Sequence, residues 1–225
     1  PLTTREPNPE GRGEVNMLQL LYNSLRMRPD RMVIGEMRRR EEAEVMFEAM
    51  RQGHAAYATL HADRIEQVVG RLTNPPIDLP RNMLDVLHLV LVQFRHRRLG
   101  IRRTFQVAEI IASETAEGKT AIKFEILYRW NPKTDVIEKA KESTRLIEEI
   151  RLHARMSDAE MTSDLKEKQA VLQWMLDHKI NTVNTVGKVV AEYYNDRERI
   201  MEIIKRKASP SEVIGNLVEE LKSKS

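Results

Sequence analysis

Residues 28–63 constrain the fold most: two short apolar runs, 32–34 and 56–60, flank a stretch whose apolar residues recur at helical spacing. In that stretch, residues 40–52, the side chains of Ala43, Val45, Met46, Ala49 and Met50 share one face, and Gly53 takes the position where a left-handed residue commonly ends a helix. Run, helix, run predicts two parallel strands joined by a right-handed crossover. Met32, Val33 and Ile34, flanked by charge and closed by Gly35, read as a strand buried on both faces. After the second run, Asp63 is the expected N-cap of a helix through Ile65, Val68, Val69 and Leu72, and an earlier helix is expected over residues 14–27, ended by Pro29. Strand, helix, strand, helix is the rhythm of an α/β layer protein.

The pattern then changes. After a short helix near residues 81–87 come three β-rich runs, 89–97, 102–112 and 120–130, with turns at Leu99-Gly100 and Glu117-Gly118, which predict an antiparallel meander. From Asp135 the chain reads as helical. Ser157 with Glu160, and Ser209 with Pro210 and Glu212, open helices as capping boxes, and residues 182–207 supply another. The expected domains are therefore 1–135 and 136–225.

Apolar residues at 41% are enough for a core, and Lys+Arg 37 against Asp+Glu 34 leaves a formal net charge of only +3, so bulk charge requires no polyanionic partner. The absence of cysteine excludes disulfides and thiolate metal sites. The apolar run around residues 87–94 is too short to cross a bilayer, and a soluble chain is expected. It opens on Pro1 rather than methionine, and "PLTTREPNPEGRGE" reads as a strand end and loop, so the expectation is the later part of a longer protein.

Open parallel sheets bind ligands beyond the carboxyl ends of their strands. Glu36 and His61 each follow such an end, and the crossover would bring both to one rim. A carboxylate there can orient or deprotonate water, and an imidazole can hydrogen-bond a phosphoryl oxygen. Arg28 and Arg38 flank the first strand, and guanidinium forks suit phosphate oxygens. Spacing alone favours a solvated Glu36 and capping or packing roles for His54 and His61. His54, His61 and Asp63 lack tetrahedral spacing and a fourth ligand, so no metal site is expected. Of the basic stretches 94–103 and 203–209, the first reads as hairpin arginines on a solvated edge, and residues 184–196 read as a packed helix, so no specific nucleic-acid partner is expected.

"LRMRPDRMVIGEMRRREEAEVMFEAMRQGHAAYATLHAD" and the downstream "RLTNPPIDLP" closely resemble the second half of the secretion-superfamily ATPases, hexameric P-loop motors of type II and type IV secretion, pili and the archaellum. The likeness is greatest to the archaeal branch. It implies the second half of a RecA-like P-loop domain, followed by the meander and an α-helical C-terminal region. It makes "RPDRMVIGE" the Walker B strand, with Glu36 as the water-activating carboxylate, and "GHAAYATLHAD" the histidine box, with His61 near the nucleotide phosphates. Gly35 stands where many other P-loop ATPases carry a magnesium-binding aspartate. Gly53 and His54 match the start of the histidine box, while Arg28 and Arg38 match family arginines that would contact phosphate or couple subunits. Arg5 matches a position after the family's aspartate box, with no role implied. The implied cofactors are ATP and Mg2+, and the implied partners are further copies in a hexamer and an integral membrane platform protein, at the cytoplasmic face of the membrane. The glycine-rich phosphate loop and the aspartate-box pair do not occur in this chain, so the resemblance implies weak nucleotide binding and negligible hydrolysis by these residues alone. The alternative is a non-catalytic, half-length protein that docks onto such a ring or platform through its helical tail.

Overall fold

A computed structural model describes residues 1–115 and 120–215. The backbone divides into two compact units, Pro1–Glu149 and Ile150–Ser225. In the first, helix α1 (Met17–Arg26) begins at Asn16 rather than Glu14, because Asn16 and Gln19 cap one another: Asn16 Oδ1 accepts from the Gln19 N–H at 2.9 Å and Gln19 Oε1 from the Asn16 N–H at 3.1 Å. Strand β1 (Arg31–Ile34), helix α2 (Arg40–Arg51) and strand β2 (Ala55–Ala58) form the expected parallel pair, in register at Met32↔Ala56 and Ile34↔Ala58. The buried Glu42 carboxylate closes the start of α2 by accepting from the N–H groups of Arg38 and Arg39, both at 3.3 Å.

The strand expected to be buried on both faces is buried on one. Met32 and Ile34 join the core with Leu21 and Phe47, whereas Val33 is 81% exposed and Tyr57 of β2 is exposed beside it. Only one face of this two-stranded sheet is covered by a layer among the described residues. Helix α3 (Ile65–Thr73) starts after Arg64, not at Asp63. Its first N–H, that of Ile65, is taken by the side chain of buried Gln106 at 3.2 Å, while the Asp63 N–H donates to Gln67 Oε1 at 2.9 Å.

The short helix expected near 81–87 is a 3-10 helix (Arg81–Val86). The meander then has four strands, β3 (Leu89–His96), β4 (Ile101–Glu114), β5 (Thr120–Asn131) and β6 (Val136–Lys139), paired in that order. The Glu117-Gly118 turn lies outside the described residues. Strand β6 occupies the place where the chain was expected to become helical, pairing Trp130 with Ile137 and Tyr128 with Lys139. The reversal is made at Asp135, with φ of 55°. Its carboxylate accepts from Arg103 Nε and Nη2 at 2.6 and 2.5 Å and from the Trp130 indole N–H at 2.8 Å.

The Arg103 fork, and then the indole, lower the Asp135 pKa from 3.8 to about 2. A carboxyl depressed by folding contributes stability that is present above its unfolded value and is lost as pH falls through its folded value, here between about 4 and 2. The Trp130 indole N–H resonance should therefore titrate with a midpoint near 2, and Asp135→Asn should remove that titration. A midpoint at an ordinary carboxyl value would show that the clamp is not formed in solution.

Helix α4 (Arg145–Ala154) starts on another distant side chain. Glu109, in the middle of β4 and 1% exposed, accepts from Ser143 Oγ at 2.6 Å, Leu146 N–H at 2.7 Å, and Thr144 N–H and Oγ1 at 3.1 and 3.4 Å. Burial pushes this carboxyl up, but the hydrogen bonds from Ser143 and from the backbone of Leu146, Thr144 and Arg145 outweigh it and leave it below its usual value. Arg145 donates to the carbonyls of Asp85, Ile110 and Leu87 at 2.6, 2.9 and 3.1 Å.

The second unit is helical: α5 (Asp158–Asp177), α6 (Val183–Asn195), α7 (Arg197–Lys205) and the single turn α8 (Ser211–Ile214), around Trp174, Met175, Val189, Ile200 and Ile203. Ser157 and Glu160 form the expected capping box. The single helix expected over 182–207 is two, because Asp196 leaves helical geometry and caps α7 through the Arg199 N–H at 3.0 Å. No box forms at Ser209, since Glu212 turns to Arg206 at 2.7 Å. No helix among the described residues is long and apolar enough to cross a membrane.

Candidate functional site

The parallel pair brings the loops after β1 and β2 side by side. Two ties continue the ladder past the strand ends: the Met37 N–H donates to the Thr59 carbonyl at 3.1 Å, and Thr59 Oγ1 donates to the Gly35 carbonyl. With those loops fixed, Glu36 and His61 face each other, His61 Nε2 lying 3.2 Å from Glu36 Oε1, while Arg38 Nη2 donates to Glu36 Oε2 at 2.5 Å. The Glu36 side chain is 24% exposed, against 85% for His61 and 73% for Arg38. The carboxylate thus sits back from solvent between two nitrogen groups that reach out into it.

The Arg38 hydrogen bond and its charge, with a smaller contribution from His61, hold the Glu36 carboxyl below its usual value against the opposing effect of partial burial. Glu36 is therefore an ionised acceptor at neutral pH. Such a group suits water and can hold one of its protons, while a guanidinium and an imidazole at the same rim suit phosphoryl oxygens. Beside this rim lies a cavity of about 570 Å³, lined by Thr59 and His61 after β2, by Gln67 and Arg71 of α3, and by Leu91 and Gln93 of β3.

Of the residues singled out in the sequence, Gly35, Glu36, Arg38 and His61 share the rim. Arg28 and His54 do not. Both precede their strands: His54 Nδ1 lies 3.3 Å from the carbonyl of Pro29, next to Arg28 with φ of 50°. His54 stands before β2 and His61 beyond its other end, so the four residues of the strand, roughly 13 Å at 3.3 Å per residue, lie between them. They cannot meet one small ligand together. Arg5 closes its own loop instead, donating through Nε to the Gly13 carbonyl at 2.6 Å and bridging to Val15. The residue that sequence reading missed is Thr59, whose hydroxyl and carbonyl lock the two loops together. Its only local signal is a β-branched hydroxyl at a strand end.

The family model described as "Type II/IV secretion system protein" matches residues 4–102, a span that contains both strands and the whole rim. Among curated proteins, an uncharacterized protein of Methanocaldococcus jannaschii is 33% identical over 178 residues, covering 78% of this chain and 64% of that protein. The type IV pilus assembly ATPase PilB of Acinetobacter baylyi is 32% identical over 114 residues, 46% of this chain and 20% of that protein. PilB of Myxococcus xanthus is 38% identical over 85 residues, 38% of this chain and 15% of that protein. The chain thus spans less than two thirds of the length of these relatives. With the rim inside the matched span and pilus assembly ATPases among the relatives, the first 102 residues of the chain are similar to the type II/IV secretion-system ATPases.

Proposed function

We propose that this chain supplies the water-activating and phosphate-contacting rim of a RecA-like ATPase, and that the rest of the parent protein supplies the phosphate loop. The observation that carries this reading is Glu36, ionised and held between His61 and Arg38 at adjacent strand tips. Glu36 orients a water and takes its proton as the water oxygen attacks the γ-phosphorus of ATP and the bond to the ADP oxygen breaks. His61 and Arg38 donate to the phosphoryl oxygens on which charge collects.

The donor set fits the terminal phosphate but not a metal ion: no group of three or more His, Cys, Asp or Glu side chains among the described residues could hold one. In this reading Mg2+, which lowers the charge on the phosphates when bound, takes its ligands from the nucleotide, water and the rest of the protein. In this reading the phosphate-loop segment has sheet edges to join. Among the described residues β2 is paired only with β1 and β3 only with β4, and both line the cavity beside the rim, so a strand of the phosphate-loop segment has two free edges to join. In the parent protein, copies form a cytoplasmic hexamer that acts on an integral membrane platform protein and drives pilus, archaellum or secretion assembly.

ATP hydrolysis by residues 1–225 alone, compared with the protein extended through its phosphate loop, tests this division. Turnover should belong to the extended protein and be negligible for residues 1–225. Equal turnover by the two would overturn the proposal, and so would none by the extended protein.

A further inference from the structure

The β3–β4 hairpin carries a charge arrangement that its own fold does not use. Arg95 and Arg102 lie directly opposite each other, and Arg97 and Arg98 occupy the connection between the strands. All four are exposed, and none forms an ion pair among the described residues. Like charges directly across a strand pair are destabilising, so the hairpin bears a cost that a nearby anion would relieve. Arg103, one residue further along, shows the contrast, since both arms of its guanidinium are occupied by Asp135. At the turn, Leu99 is 64% exposed, and its backbone is set by its N–H donating to His96 Nδ1 at 3.1 Å.

We propose that this hairpin tip is a contact site for an anionic lipid surface. A convex tip with an apolar side chain at its turn and guanidiniums around it matches a membrane interface, where the leucine enters the acyl boundary and the arginines meet headgroup phosphates. Two other polyanions fit less well. Single-stranded nucleic acid needs several rings open for stacking, but of the rings on this hairpin Phe94 alone is exposed, at 37%, and it packs with Phe105, Trp130 and His96 at centroid distances of 6.0, 5.7 and 6.1 Å. An acidic peptide would need a groove, and the turn residues 97–100 are all exposed. The inference does not rest on the ATPase reading, since it uses none of the rim residues.

Co-sedimentation of the 225-residue chain with vesicles tests it. Binding is expected to phosphatidylcholine vesicles containing phosphatidylglycerol, to weaken with salt, and to be negligible for phosphatidylcholine alone. Arg97→Gln with Arg98→Gln should lower partitioning roughly 30-fold, from about fivefold for each arginine near the surface. Leu99→Asn should weaken vesicle binding while leaving retention on heparin unchanged. Thermal midpoints of the double variant and of Leu99→Asn should match the parent, as these side chains are exposed, and Arg95→Gln, which relieves the facing charges and should raise the midpoint slightly if it moves it at all, is the substitute should the double variant fold poorly. Vesicle binding unaltered by the arginine changes would overturn the proposal. Indifference of vesicle binding to Leu99→Asn would also overturn it, marking the hairpin as a general polyanion binder instead.

Discussion

Glu36→Gln in the protein extended through its phosphate loop is expected to lower ATP turnover by about two to four orders of magnitude, the usual contribution of a general base. Glutamine keeps the size of the side chain but cannot accept a proton, and its neutral amide no longer balances Arg38. Nucleotide affinity should change little, because the triphosphate is held mainly elsewhere; titration with a fluorescent ATP analogue measures that separately. Undiminished turnover would remove Glu36 from the chemistry. Arg38→Ala gives an independent reading of the same site. Arg38 is the main cause of the lowered Glu36 pKa, so its removal should move the acid limb of the pH–rate profile to higher pH.

Glu109→Leu is expected to destabilise the first unit by about 3 kcal/mol, an effect of the size seen when buried donors lose a charged partner. Leucine matches the volume of the glutamate stem but leaves Ser143 Oγ and the N–H groups of Thr144 and Leu146 without an acceptor. It also removes a negative charge from the amino end of α4, where the helix dipole favours one. Glu109→Gln keeps one acceptor and should cost less. Urea unfolding measures the size, and hydrogen exchange at the Leu146 amide measures the place, with protection falling first there. Because the folded Glu109 carboxyl lies below its ordinary value, its contribution is complete at neutral pH and is lost as pH falls through the folded value. Exchange at Leu146 unchanged in the leucine variant would refute the capping role.

The parallel pair and its rim were legible because local patterns carry them: apolar runs, a helix of fixed period between them, Gly53 with φ of 94° at the helix end, and acid and imidazole each just past a strand. The same directional rule, applied to Arg28 and His54, would have set them apart, since both stand before their strands. Burial of Val33 on both faces was not a local question. An apolar residue in a strand fits a covered face, but whether a layer covers it depends on the rest of the fold. Strand β6 was hidden because its four residues, all exposed, carry no apolar alternation and gain strand form only by pairing with β5. The capping pair at Asn16 and Gln19 was readable as a motif and displaced the helix start from Glu14. The starts of α3 and α4 were not readable, since their acceptors, Gln106 and Glu109, are distant in the chain.

Those two remote acceptors bear on the order of events as the chain collapses. With 9 and 10 residues, α3 and α4 are shorter than the roughly 12–15 that a lone helix needs in water, and neither begins with a side-chain cap from its own N-cap residue. Each should mature only once β4 has docked, so peptides cut from them should be random coil, and their amides should gain protection after those of the sheet during refolding.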